Sequence, residues 1–389
     1  MPAHNPALTS GPPVLVIGAG IAGLSAAIAL RQIGVPVMVL EQSSAISEVG
    51  AGLQISPNGT RVLRALGLEP ARFSTRTAAV ELRDRRGRFV TGFAPRSDPG
   101  FFLIHRADLV QALADRLLEL GGEIELGAQV ESVEIGGGAS LNAGGERCAP
   151  LMIGADGLHS RMRMALNGTD APFFTGQVAW RATIPGDGGA PVAQVFMGPG
   201  RHLVSYPLRR GALRNIVAIE ERAAWAAEGW HHADDPAALR AAFSGFGGPV
   251  PQWLEAVETP FLWGLFRHPV AARWHDGQGR AAILGDAAHP TLPFLAQGAN
   301  LALEDAWVLA DALARHAGDR GAALTWYQDR RAARVAAVIA AANANARNYH
   351  LRPPLAPLAH TVLRLADLVA PGLPFRRYAW VHDHDVTAP

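Results

Sequence analysis

Four short runs of uninterrupted apolar residues punctuate the chain: Val14-Leu-Val-Ile17, Pro36-Val-Met-Val-Leu40, Leu151-Met-Ile153 and Ala281-Ala-Ile-Leu284. A run of this length bounded by turn formers is what a strand buried on both faces requires, so each predicts a central strand of a parallel sheet. Between the first two, Ala22 to Gln32 combines strong helix formers with an apolar face, which completes a strand, glycine turn, helix and strand: one βαβ unit. Helical spacing returns at Pro57 to Leu66, Asp108 to Leu120, Asn300 to Arg315 and Ala322 to Arg347. Glu123 to Glu134 alternates like strands, and Gly136-Gly-Gly138 marks a hairpin or surface loop. From about Thr175 to Trp263 the pattern changes. The runs Val192 to Met197, His202 to Pro207 and Asn215 to Glu220, separated by Gly and Pro turns, predict a mostly antiparallel sheet. The expected fold class is α/β, Rossmann-like, with an inserted antiparallel sheet and C-terminal helices.

Composition narrows the function classes. With 49% hydrophobic and 18% charged residues over 389 positions, the chain can bury a large core and is far from disorder. A single cysteine, Cys148, excludes an internal disulfide framework and fits a reducing cytoplasm. The formal charge of +1 suggests neither a nucleic-acid nor an anionic-membrane partner. Val14 to Leu30 is broken by Gly18, Gly20 and Gly23 and is too short for a membrane span, which needs about 20 apolar residues. Met1 to Pro13 lacks the Arg or Lys of a secretory leader, so a cytoplasmic location is expected. All the basic residues are arginine, since the sequence contains no lysine. Schiff-base chemistry and a P-loop lysine are thereby excluded.

Three motifs carry the chemistry. Gly18-Ala19-Gly20-Ile-Ala-Gly23 follows a predicted strand and opens a predicted helix, with Glu41 18 residues past the last glycine at the end of the second strand. Glycines there permit a tight turn and close backbone approach, the helix N-terminus faces a pyrophosphate, and the acid accepts from ribose hydroxyls. This motif alone does not separate NAD from FAD. The second motif is Gly154-Ala-Asp156-Gly157-Leu-His-Ser160-Arg161. The third is Gly285-Asp286-Ala-Ala-His289-Pro290, followed by Gln297-Gly298-Ala299-Asn300 and Leu303-Glu-Asp-Ala306.

In their order and spacing these motifs resemble the class A flavoprotein aromatic hydroxylases, single-component FAD-dependent monooxygenases. The branch they resemble most contains salicylate hydroxylase, 3-hydroxybenzoate 6-hydroxylase and 6-hydroxynicotinate 3-monooxygenase. The likeness runs from Val14 to about Val386 and includes Gly50-Ala-Gly-Leu-Gln-Ile-Ser-Pro-Asn58, Ile104-His-Arg106, Trp180-Arg181 and Tyr327-Gln-Asp-Arg330. It implies an FAD-binding domain from residues 12–75, 100–174 and 270–320, a substrate-binding sheet from 76–99 and 175–269, and a helical region over 321–389. It also implies that Gly18, Ala19, Gly20, Gly23 and Glu41 hold the ADP half of FAD, that Arg106 contacts the cofactor with a fork suited to phosphate or ribose oxygens, that Asp286 accepts from the ribityl chain, and that Gly298, Ala299 and Asn300 face pyrophosphate and flavin. Gln54 would lie near the isoalloxazine, and Asp156 would either touch ligand or fix its loop.

His202 and Tyr206 sit four residues apart on a predicted strand, so they share a face about 13 Å apart and can bracket an aromatic ring. The resemblance makes His202 the base that deprotonates a phenol, with Tyr206 and Gln297 as further substrate contacts; a free imidazole titrates near 6.5, suited to that task. It further implies NADH, or NADPH, as transient co-substrate and a flavin C4a-hydroperoxide attacked by the phenolic, carboxylated ring. The partners expected are thus a small aromatic substrate and O2, in a monomer or homodimer. Arg181 and Arg83 are the carboxylate candidates, and His289 is either catalytic or packed at a turn. The basic run Arg83 to Arg88 reads as a solvated hairpin turn, and His231, His232, His382 and His384 as loop and tail residues without a metal-ligand pattern. Two alternatives stay open: the same fold acting by quinolone hydroxylation, epoxidation or antibiotic modification, and a flavin-binding protein without oxygenase turnover.

Overall fold

The computed structural model describes residues 11–46, 52–169, 171–224 and 232–388. Its first layer is a five-stranded, all-parallel sheet in the order Ala281–Ile283, Met152–Gly154, Val14–Ile17, Val37–Glu41, Glu123–Leu126. The four apolar runs supply four of these strands. Val16, Val39, Ile153 and Ile283 have no exposed surface, because helices cover both faces of a parallel sheet. Helix Ile21–Gln32 follows the first strand, buries nine residues, and packs against helix Gly298–Arg315.

The second layer is an eight-stranded sheet ordered His232–Ala233, Phe261–Arg267, Phe173–Pro185, Leu213–Glu221, Arg201–Leu208, Val192–Gly198, Ala79–Asp84, Phe89–Phe93. Every pairing is antiparallel except that of Val192–Gly198 with Ala79–Asp84, where two distant chain segments join. Period-two alternation gives this sheet two different faces. Val178, Trp180, Phe196 and Leu203 point into one apolar cluster with Phe243 and Trp253, under helices Pro236–Ala242 and Val250–Glu255. Ala179 and Ile219 point the opposite way, against Phe294 and the long helix Arg320–Tyr349, and His202, Val204 and Tyr206 share that inner face.

A small third sheet, Gly52–Ile55 with Phe102–His105 and Thr75–Arg76, was not foreseen. Its members are too short and mixed to show a period. It lies at the seam between the two large sheets, where Gly52 accepts the close approach of the Tyr206 ring: a β-carbon at Gly52 would stand 2.4 Å from Tyr206 Cε2. After Tyr349 the chain forms helix Leu355–Val369 and two short helices, Leu373–Arg376 and Ala379–His382. Among the described residues no helix is long and apolar enough to cross a membrane.

Candidate active site

The glycine turn has the geometry that its sequence requires. Gly18 has φ of +103°, and a β-carbon on it would lie 2.5 Å from the Ala155 carbonyl oxygen; one on Gly23 would lie 1.9 Å from the Gly18 carbonyl oxygen. Those two glycines are explained by the protein's own backbone. Gly20 is not: its φ is −76°, open to any residue, and a β-carbon there would meet nothing within 4 Å. The space it leaves faces the N-terminus of a helix with no acidic residue in its first turn and no side-chain cap, an arrangement that fits an anionic group of the cofactor rather than a side chain. Glu41 orders the same turn, accepting from Ala19 N at 2.8 Å through one carboxylate oxygen and from Ser43 N at 2.8 Å through the other.

The other two motifs converge on this turn. Asp156 caps the short helix Arg161–Asn167, accepting from Ser160 Oγ at 2.5 Å and Arg161 N at 2.7 Å; in this structure it fixes its loop. Gly285 has φ of +60° and would press a β-carbon to 2.9 Å from Ala22, so the third motif abuts the first helix. Asp286 has an exposed side chain yet is surrounded by protein mass, the condition of a group on the floor of a cleft. Burial raises its carboxyl above the ordinary range, opposed by the charges of His289 and Arg106. Arg106, half-buried, starts the helix Arg106–Glu119 and is electrostatically coupled to Asp286; burial pulls its guanidinium down. Gly298 opens helix Gly298–Arg315 with Ala299 behind it, and Asn300 stitches this start to the third sheet: its Oδ1 accepts from Ser56 N at 3.0 Å and its Nδ2 donates to Gln54 O at 3.0 Å. Just before it, Ala296 holds a left-handed conformation, φ 52° and ψ 38°, which costs a non-glycine residue about 1 kcal/mol.

A cavity of about 570 Å³ lies between the inner face of the eight-stranded sheet, the Pro293 to Ala296 loop and the C-terminal helices. His202 and Val204 line it from the sheet, Gln54 and Ala296 from the cofactor side, and Tyr349, Leu355 and Arg377 from the C-terminal region. His202 is 1% exposed, with its ring 5.6 Å from Phe294 and 5.2 Å from Tyr349. Its pKa is held well below the ordinary value, first by burial and then by His350. Tyr206 shares the strand face with His202 but is not on the cavity wall; it packs with Leu103 and Leu208, and burial raises its hydroxyl far above the ordinary value. Gln297 is also outside the cavity wall. Its Oε1 accepts from Asn58 Nδ2 at 3.1 Å and its Nε2 donates to Ser56 Oγ at 3.0 Å, so its amide is engaged in the protein interior.

Of the other candidates, some keep an expected role and some do not. His289 is 1% exposed, bonds Asp305 through Nε2 at 2.5 Å and packs against Trp274: the turn-packing role. His382, read as a tail residue, instead ends a helix on the cavity wall, and burial lowers its pKa to about 4. His232 begins an edge strand, while His231, Gly50 and Ala51 lie outside the described residues. Arg83 is tied to Glu81 at 2.6 Å and to the Gly87 carbonyl, which makes it part of its hairpin. Arg181 stacks on Trp263 with its guanidinium carbon 4.2 Å from the ring centroid, and burial together with Arg106 lowers its pKa to about 10. Among the described residues the guanidinium on the cavity wall is Arg377, exposed at the mouth and donating to Asn345 Oδ1 at 3.4 Å. Neither Arg377 nor His350 belongs to any motif; Arg377 is revealed only by its place on the cavity wall, and His350 only by its contact with His202 behind that wall.

The family model described as "FAD binding domain" matches residues 12–221 and 252–342. The chain belongs to that family, among the flavoprotein aromatic hydroxylases. The flavoprotein is 35% identical to 3-amino-4-hydroxybenzoate 2-monooxygenase of Streptomyces platensis over 88% of this chain and 90% of that one. It is 35% identical to 3-hydroxybenzoate 6-hydroxylase of Polaromonas naphthalenivorans, strain CJ2, over 87% and 88%. The solved structure of a salicylate hydroxylase substrate complex superimposes with a TM-score of 0.79 at 26% identity, covering 97% of the flavoprotein and 96% of that chain. Cofactor and fold class thus agree with the open space at Gly20 and with the glycine and Asp286 motifs meeting across one cleft.

Proposed function

We propose that this flavoprotein takes a phenolic, carboxylated aromatic ring into the 570 Å³ cavity and hydroxylates it with O2, using NADH or NADPH as reductant. The observation that carries the reading is the place of His202: an imidazole on the wall of a largely apolar chamber whose other end is formed by Gln54 and Ala296 of the cofactor-binding segments. FAD bound in the cleft supplies hydride acceptance and O2 activation. The chain itself supplies orientation, a base and exclusion of water. Val204, Met197, Phe294 and Leu355 offer the ring apolar contact and keep solvent out. His202 takes the phenolic proton, which raises electron density at the ortho and para carbons where oxygen is to be inserted. Arg377 at the mouth suits a carboxylate, because a guanidinium fork matches its two oxygens. The named substrates of the relatives, 3-amino-4-hydroxybenzoate, 3-hydroxybenzoate and salicylate, are all carboxylated phenols and support this class.

The test is product formed per NADH oxidised, with those three compounds, in the wild type and in His202→Ala. Substrate-stimulated oxidation coupled to hydroxylation is expected in the wild type, with at least one compound, and a fall of about a hundredfold in the variant. Undiminished coupled hydroxylation by His202→Ala at neutral pH refutes the role of His202.

A further inference from the structure

His202 does not end in the cavity wall; it begins a hydrogen-bonded chain that leaves it. His202 Nδ1 lies 2.7 Å from His350 Nε2, and His350 Nδ1 lies 2.9 Å from Glu221 Oε1. Exposure rises along the chain: 1% for His202, 5% for His350 and 41% for the Glu221 side chain, whose second oxygen accepts from the exposed Arg352 at 3.2 Å. The three come from different elements: the strand Arg201–Leu208, the residue that ends helix Arg320–Tyr349, and the last residue of strand Leu213–Glu221. Backbone bonds from Gly200 N to His350 O and from Glu221 N to Gly200 O hold the crossing in register.

The proton positions follow from bonding capacity. An ionised carboxylate only accepts, so His350 Nδ1 carries a hydrogen; neutral His350 then accepts at Nε2, and His202 Nδ1 must donate to it. This leaves His202 Nε2 as a lone pair. The same geometry raises a difficulty for His202 acting alone. An imidazolium there would be buried among Phe294, Tyr349 and a second imidazole. The charged groups facing His350 are Glu221, which favours its cation, and Arg201 and Arg352, which oppose it; burial lowers its pKa further. Neither ring is a place where a second proton rests.

We propose that His350 and Glu221 form, with His202, a proton relay that carries the substrate's hydroxyl proton from the cavity to solvent; this rests on the reading of His202 as the base. In one passage the substrate O–H bond breaks as His202 Nε2 gains its proton. His202 Nδ1 passes its own proton to His350 Nε2, and His350 Nδ1 passes its proton to the Glu221 carboxylate, which releases it to water. The phenolate keeps the electron pair, both imidazoles end neutral with their hydrogens exchanged between nitrogens, and no buried cation is created. The reverse transfers reset the relay after turnover: solvent protonates Glu221, the proton shifts pass inward through His350 and His202, and His202 Nε2 gives its proton to the phenolate oxygen of the product, which leaves as the phenol.

Two readouts test it. The first needs no turnover: long-range proton–nitrogen correlation spectra of the FAD-loaded protein labelled with nitrogen-15 histidine. At pH 7 both His202 and His350 are expected to be neutral and protonated at Nδ1, and Glu221→Ala should release His350 from that tautomer. A wild-type His202 protonated at Nε2 overturns the relay, whatever the substrate is. The second is stopped-flow absorbance of phenolate formation on mixing with 3-hydroxybenzoate, salicylate or 3-amino-4-hydroxybenzoate. His350→Phe, which keeps ring volume, and Glu221→Ala, at a partly exposed site that spares the fold, should each slow this step about a hundredfold. If both variants form phenolate at the wild-type rate while His202→Ala does not, the relay falls and His202 stands as the base. If His202→Ala also keeps the wild-type rate, or the wild type forms phenolate with none of the three, the functional reading itself falls and takes the relay with it.

Discussion

Gly20 and Gly23, three residues apart in one turn, should respond to the same added methyl group in opposite ways. At Gly23 the new carbon would stand 1.9 Å from the Gly18 carbonyl oxygen and 3.2 Å from Ala155 Cβ. The near neighbour is backbone, so the helix must shift against the sheet; Gly23→Ala is expected to destabilise the apoprotein by about 3 kcal/mol. At Gly20 the carbon meets nothing within 4 Å and φ is already −76°, so the apoprotein should lose at most about 1 kcal/mol, the difference between Gly and Ala as helix N-cap. The cost at Gly20 appears only with FAD, whose pyrophosphate would be pushed from the helix N-terminus. Weakening one or two hydrogen bonds to a charged group amounts to about 2.7 kcal/mol, or a hundredfold in affinity. With FAD at about 100 times the wild-type Kd, the wild type gains about 2.7 kcal/mol from the ligand and Gly20→Ala only about 0.4 kcal/mol. Melting of apo and FAD-supplemented protein, with a flavin fluorescence titration, measures both quantities. Wild-type FAD affinity in Gly20→Ala, or an apoprotein as unstable as Gly23→Ala, would refute the assignment of this space to the cofactor.

Two further outcomes follow from the cavity wall. Arg377→Met should raise KM for carboxylated phenols about tenfold with kcat little changed, and leave an uncharged phenol of similar size unaffected; equal shifts for both would remove Arg377 from carboxylate binding. For stability against pH, His382 falls to about 4 in the folded state from about 6.5 unfolded, and His202 and His350 are lowered too. Because the unfolded chain binds protons that the folded chain refuses, this stability is complete above pH 6.5 and is lost as pH falls from there towards 4, by about 1.4 kcal/mol per pH unit for each histidine kept neutral. Asp305, lowered to about 2, contributes its own loss only below about pH 4, so the windows separate. A melting temperature that stays flat from pH 7 to 4.5 would contradict the histidine burial.

The parallel sheet was legible because burial on both faces leaves its mark in an unbroken apolar run of three to five residues, and the glycine turn because steric demands fall on fixed positions. The sheet face of His202 was legible for the same reason: alternation places Leu203 outside and His202 inside. Reach was not. Tyr206 shares the face of His202, yet the strand carries it past the cavity to the seam at Gly52. Gln297 adjoins the cofactor segments in sequence, but Asn58, 239 residues away, turns its amide inward. No periodicity encodes such a pairing. The third wall was illegible for another reason: Tyr349 and Arg377 on it, and His350 behind His202, follow no motif, and their places arise only when helix Arg320–Tyr349 returns the chain to the sheet.

The same interior pairing explains why arginine, in a chain without lysine, is suited to one position in the core. Arg331, 1% exposed, donates from Nη1 to Glu304 at 2.6 Å, from Nε to Asp305 at 2.7 Å and from Nη2 to Leu301 O at 3.3 Å. Glu304 also accepts from Asn58, and through it reaches Gln297 and Ser56; Asp305 also accepts from Gly285 N and bonds His289. One planar cation thereby registers both segments that border the cofactor cleft, the third motif through Asp305 and the Ser56 to Asn58 turn through Glu304. An ammonium could neutralise the two acids but has no fixed directions in which to hold them apart. Charges buried this deeply are weak evidence for stability, since desolvation offsets much of their attraction. What its directed bonds to Glu304 and Asp305 do provide, with Arg334 holding Glu304 from Nε and Nη2 at 2.7 Å each, is a single arrangement of the two acids, and with it a link between the two sides of the cofactor cleft through one side chain.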